Sequence, residues 1–243
     1  MICCYETEHY VFHFLENSLA ARDIGTIAAE QEKSYEKICG LLNVRFPRKI
    51  NYWLYESPDV VGRYFCDGEP CNGLAIDSET GGEIGTVASL SGKDEDRFTV
   101  EPFSVHAVYE ERIKCIGEHE DTHVIMSQIC PEPVSSFLAE GIAMFMDGTW
   151  WGRENRLWAR EFRENGELID TAEVICIDQD QFYDMESVKT YPVGGAWTEF
   201  IAERFGMDKF LRLYCSENPD RDAKEIFGKS LSELHEMFAE WLV

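Results

Sequence analysis

His119-Glu120-Asp121-Thr122-His123 places two imidazoles four residues apart with a glutamate between them. In an α-helix, at about 100° per residue, positions i and i+4 lie roughly 40° apart on one face. Two histidines there can converge on one zinc ion, with Glu120 standing beside the open coordination position. A catalytic zinc needs a third protein ligand, and Glu140, in Phe137-Leu138-Ala139-Glu140-Gly141-Ile142-Ala143, is the candidate. Neutral imidazole and carboxylate suit this borderline cation, and three protein ligands leave one position for water. Such a water reaches a pKa of about 7, and Glu120 would take its proton and hand it to the leaving group. The pattern points to metal-assisted hydrolysis, most simply of a peptide bond.

The elements that must hold these residues follow from periodicity. His9–Phe14, Ile50–Tyr55, Val87–Leu90 and Ser104–Tyr109 are aromatic or β-branched and are expected as strands. Ser18 is the expected cap of a long helix over about 18–43, where Ile24, Ile27, Ala28, Tyr35, Ile38, Leu41 and Leu42 recur at helical spacing. A short helix is expected near 58–65, and turns over the Gly-rich, acidic stretch 67–85. The pattern turns helical from Glu110. A helix over 110–129 would carry the histidine pair, and one over about 134–147 would carry Glu140. Further helices are expected near 154–165, 193–205, 207–216 and 230–242. The expected fold is α+β: an N-terminal mixed α/β lobe over about 1–130 with the active-site helix, and a mainly α-helical C-terminal lobe over about 131–243. Together they form one catalytic domain with its cleft between the lobes.

Composition narrows the function classes. Net charge is −24, from 46 acidic and 22 basic residues, which argues against nucleic acid or an anionic membrane as partner. No apolar run approaches the ~20 residues needed to cross a bilayer, and the N-terminus lacks the pattern of a signal peptide. Nine cysteines, an odd number, suit reduced thiols, so a cytoplasmic location is expected. Cys66 and Cys71 lie close enough in sequence to suggest a second metal or redox site, but without a second pair at finger-like spacing they are read as ordinary thiols.

His119-Glu120-Asp121-Thr122-His123 followed by Glu140-Gly141-Ile142-Ala143 resembles the gluzincin branch of the zinc metallopeptidases, the peptidase MA-like group. That resemblance implies a zincin-like fold and one Zn2+ held by His119, His123 and Glu140. It also implies Glu120 as general base and acid, and a peptide or protein substrate. Tyr191-Pro192-Val193-Gly194-Gly195-Ala196 is similar to the Tyr-x-x-Gly helix start of gluzincin aminopeptidases, which makes Tyr191 the candidate oxyanion donor. The matched segments lie within 119–206. The chain departs from the family in three ways. Sixteen residues separate His123 from Glu140, fewer than is usual. No G-x-M-E-N segment is present, so exopeptidase specificity does not carry over. Met144 stands where a thermolysin-like orienting aspartate would be, with Asp147 as an alternative on the face of Glu140.

Other histidines are weaker candidates. His9 and His13, four apart in a strand, would be roughly 13 Å from each other. His106, on the strand before the metal helix, is a candidate substrate contact, and His235 is read as structural. Trp150, Trp151 and Trp158 could wall a pocket, and Arg153 and Arg156 are read as surface charge. Two other functions fit the same residues: a zinc hydrolase of a non-peptide amide or ester, and a catalytically silent zincin-like binding module.

Overall fold

The computed structural model describes residues 1–77 and 85–243, and the chain divides into two compact units, Met1–Pro131 and Glu132–Val243. The fold is α+β, with strands concentrated in the first unit and helices dominating the second.

The first unit is built on strands β1 (Ile2–Glu6) and β2 (Tyr10–Leu15), helix α1 (Leu19–Leu42), strand β3 (Ile50–Tyr55), helix α2 (Pro58–Phe65) and strand β4 (Gly73–Ile76). The short strands β5 (Val87–Ser89) and β6 (Arg97–Thr99) pair with each other, and β7 (Ser104–Val108) and helix α3 (Glu118–Met126) complete it. The main sheet runs β1-β2-β3-β7-β4. β2, β3 and β7 are parallel, and β1 and β4 close the two edges antiparallel. Parallel neighbours require a crossover, and α1 supplies it between β2 and β3. Covered on both faces, β3 is buried at five of six positions, as a central parallel strand should be. Tyr10, Phe12 and Tyr52 share one face with Tyr35 of α1. Trp53, Tyr55, Val61, Leu90 and Val108 pack together on the other.

Helix α1 begins where Ser18 accepts from the Ala21 amide and ends at Asn43 in a left-handed conformation, φ 54°. Its buried stripe is apolar except for Gln31 and Ser34, and the polar exception at Gln31 has a purpose described below.

The second unit comprises α4 (Ser136–Asp147), a two-residue hairpin β8 (Thr149–Trp150) and β9 (Arg153–Glu154), then α5 (Asn155–Glu164), α6 (Thr171–Val174), α7 (Gln179–Tyr183), α8 (Ser187–Phe205), α9 (Met207–Tyr214), α10 (Pro219–Phe227) and α11 (Leu231–Trp241). α8 is its spine, packing against α4, α5, α9 and α11. Phe137, Trp197, Phe200, Phe210 and Phe238 fill the core around it. Glycine allows α4 and α8 to meet backbone to backbone. A Cβ on Gly141 would stand 3.0 Å from the Gly194 carbonyl oxygen, and one on Gly194 would stand 3.1 Å from the Gly141 Cα. Gly195 is tighter still, because its Cβ would meet Asn155 Nδ2 at 2.5 Å and the Met144 Cβ at 2.9 Å. Asn155 is held in place by its bond to the Met144 carbonyl, 2.7 Å. Gly195→Ala should therefore overpack the crossing and cost about 1–3 kcal/mol. In a thermal melt this lowers the midpoint by about 2–4 °C per kcal/mol, whereas an unchanged midpoint would mean the crossing has slack.

Several elements differ from the sequence expectation. The histidine helix is shorter than 110–129. Residues 110–117 form a loop closed by the Tyr109–Lys114 bridge, and Gly117, at a φ of 130° that favours glycine, stands just before the first turn. β1, β4 and β6 and helices α6, α7 and α10 were not expected, and α8 starts four residues before Tyr191, with Pro192 inside it. Residues 78–84 of the stretch expected as turns lie outside the described residues.

Candidate metal centre

Helix α3 carries His119, Glu120 and His123, all partly exposed. The two imidazole centroids stand 5.2 Å apart with their planes 75° to each other, so both rings share a face of the helix. Acidic residues crowd the first turn, Glu118, Glu120 and Asp121, where the helix dipole favours negative charge.

A buried polar network holds the start of this helix. The Gln31 side chain clamps Gly117 from both sides, accepting from its amide at 2.7 Å and donating to its carbonyl at 3.1 Å. Gln31 Nε2 also donates to Asp121 Oδ2 at 2.9 Å, and the Tyr10 hydroxyl donates to that oxygen as well. Gln31 and Asp121 are fully buried. Glycine at the N-cap has no side chain to satisfy the helix end, and Gln31 does that work from α1. Burial pushes the Asp121 carboxyl well above the usual carboxylate range, with Glu120 and Glu118 adding to the effect. Asp121 and Gln31 were not singled out in the sequence. A buried glutamine in the apolar stripe of α1 was the available signal.

The Glu120 carboxylate lies beside the antiparallel strand β4. Its Oε1 lies 3.0 Å from where a Cβ on Gly73 of β4 would stand, so glycine leaves room for the carboxylate there. His106, expected as a candidate substrate contact, lies on β7 inside the sheet, whose nearer edge among the described residues is β4. His106 also faces the wrong way. It registers with Trp53 and packs against Phe65 at 4.4 Å, on the side of the sheet opposite Tyr10 and Tyr52, whose hydroxyls bond Asp121 and the Cys115 carbonyl of the α3 side.

His106 is fully buried and satisfied within the sheet, with Tyr55 Oη 2.9 Å from Nδ1 and Ser104 Oγ 3.0 Å from Nε2. Desolvation lowers its pKa to about 3, so it is neutral in the folded chain. The unfolded chain, with a histidine near 6.5, binds the proton first. This residue's contribution to stability is therefore complete above about 6.5 and is lost as pH falls toward 3. His106→Asn should flatten the acid side of the stability–pH curve by up to about 1.4 kcal/mol per pH unit in that window. Parallel acid limbs for the two proteins would show that His106 titrates normally.

Glu140 lies in the middle of α4 and is 6% exposed. The Tyr183 hydroxyl, at the end of α7, donates to its Oε1 at 2.9 Å. Tyr183 was missed in the sequence because nothing in the spacing of Glu140 and Tyr183 signals the contact. Tyr191, on α8, has its ring against Trp150 at 5.2 Å and Phe182 at 6.5 Å. Asp147 ends α4, partly buried.

Among the described residues, His119, His123 and Glu140 form the one group of histidine, cysteine and acidic side chains able to hold a metal ion. One ligand atom from each lies within 4.8 Å of the others. Two imidazole nitrogens and a carboxylate oxygen match the donor set of a catalytic zinc site. The other candidates do different things. His9 pairs with Glu32 at 2.6 Å, and His13 stacks on Trp53 and bonds Asn51. His235 Nδ1 accepts from the Thr171 amide, and Arg153 and Arg156 lie over Trp158 and Trp241. Cys66 and Cys71 are free thiols that hydrogen-bond with each other, which lowers the pKa of Cys66 and raises that of Cys71. No helix among the described residues is long and apolar enough to cross a membrane. No known protein-family model matches the chain, and a search of curated proteins found no match.

Proposed function

We propose that the chain is a zinc-dependent metallopeptidase of gluzincin type with a zincin-like fold. One Zn2+ would be held by His119, His123 and Glu140, with Glu120 as general base and acid. The observation that carries this reading is the grouping of those three ligand atoms within 4.8 Å, with Glu120 on the helix that supplies two of them.

Bound there, zinc would supply Lewis acidity, polarising a carbonyl and bringing a water's pKa near neutrality. The chain's own groups do the rest. Glu120 removes a proton from the attacking water and delivers it to the departing amine, which keeps that amine from leaving as an unstable anion. Tyr191 donates a hydrogen bond to the oxygen that gains charge as the carbonyl becomes tetrahedral. The Gln31–Gly117–Asp121 network keeps the first turn of α3 in place, so the backbone that carries both imidazoles is fixed before a metal binds.

A peptide is favoured over an ester by β4. This strand closes the sheet among the described residues, and its Gly73 stands beside Glu120. An extended substrate can pair its backbone with such an edge, and an ester without a peptide backbone cannot. The reading also places the chain in the cytosol, where nine free thiols stay reduced. It has no role for nucleic acid or membrane at a net charge of −24.

A metal-dependent assay on a peptide library, run beside a panel of esters, separates the possibilities. Cleavage of peptides that stops on chelation supports the peptidase. Ester turnover alone would move the assignment to a non-peptide hydrolase. No turnover of either, with zinc bound, would leave a silent binding module.

A further inference from the structure

Resting on that metal reading, we propose that Tyr183 is a positioning residue for the metal carboxylate: its hydroxyl fixes Glu140 in the rotamer that receives the cation. Glu140 projects from a helix whose neighbouring positions are apolar, and at 6% exposure its carboxylate has lost most of its hydration. A buried carboxylate is costly unless donors replace the lost water. The Tyr183 hydroxyl supplies one such donor, at 2.9 Å to Oε1.

The delivery of this hydroxyl is built into the unit. A five-residue helix such as α7 cannot sustain itself by its own backbone bonds. Asp178 caps it, accepting from the Gln181 amide at 2.9 Å. Phe182, 1% exposed, anchors it with its ring 6.5 Å from that of Phe137. Phe137 stands three residues before Glu140 on the same helix, so the carboxylate and the anchor of its donor share one rigid element. Tyr183 meets Phe182 edge-on at 5.2 Å and is itself 52% exposed. Its aromatic body is therefore not a core side chain, and removing its oxygen opens no cavity. A ligand held in its binding rotamer before the metal arrives loses less conformational entropy on coordination. Removing such an outer partner typically costs 10- to 100-fold in metal affinity.

The test is the zinc affinity of the full chain, measured by competition with a chromophoric chelator, for wild type, Tyr183→Phe, Glu140→Ala and the double variant. Thermal unfolding of each metal-free protein is measured alongside. Tyr183→Phe is expected to bind zinc about 10- to 100-fold more weakly, with only a small drop in the metal-free melting point from the one donor that the Glu140 carboxylate loses. In the Glu140→Ala background the same substitution should produce no further loss, because the group it positions is gone. Unaltered affinity in Tyr183→Phe overturns the proposal, and so does an equal loss in the Glu140→Ala background. A metal-free melting point that falls while zinc affinity stays at the wild-type value would make the hydroxyl a structural bond instead. Absence of zinc binding by the wild type would overturn the metal reading itself, a result distinct from all of these.

Discussion

Glu120→Gln is expected to keep one zinc ion per chain and to lower peptide hydrolysis by about 10²- to 10⁴-fold, the range a positioned general base supplies. The substitution keeps the shape of the side chain, and its neighbour Gly73 leaves the space the glutamate already uses. Only the capacity to take up a proton is removed. Because Glu120 is not in the group of metal-capable atoms, zinc content should not change. Metal analysis and a peptide-cleavage assay on the same preparation read both halves of the prediction. Turnover within a few-fold of wild type would remove Glu120 from the mechanism, and zinc loss would make it a ligand.

The second large effect concerns the metal as a source of stability. A ligand that binds only the folded chain stabilises it by about 2.7 kcal/mol at a hundredfold excess over Kd. For a chain of 243 residues each kcal/mol moves the melting point by about 2–4 °C. Chelation of the zinc-loaded protein should therefore lower the apparent midpoint by about 5–10 °C. His123→Ala removes one of three ligands and should melt at the same temperature with and without chelator. A chelator shift of equal size in His123→Ala would mean the stabilising ion sits elsewhere. The variant also discriminates between the two parts of the site, since Gln31, Tyr10 and Asp121 remain in place to hold α3.

The candidate metal residues stand out in the sequence because their spacing is local. His119, Glu120 and His123 lie within five residues, and Glu140 precedes a glycine whose small size lets α4 meet α8. Long periodic stripes, as in α1, were equally readable. Contacts made across the fold were hidden. Gln31 looks like a stray polar residue until Gly117, 86 positions later, is seen between its two amide atoms. β4 is four residues long and begins with glycine, so neither length nor β propensity announced it, yet it is the strand beside Glu120. The histidine helix was drawn too long because Glu110–Ile116 has helix-compatible composition. Gly117 and the turn at Tyr109–Lys114 override it. His106 lay on a strand correctly, but only the sheet order shows which face it takes and that β7 is not an edge.

The most direct test is a crystal grown with zinc and measured on both sides of the zinc absorption edge. The account predicts one anomalous peak, bonded by nitrogens of His119 and His123 and an oxygen of Glu140, at zinc–nitrogen distances of about 2.0–2.1 Å. A difference map without a peak there, or with the zinc at the Cys66–Cys71 thiols, would contradict it.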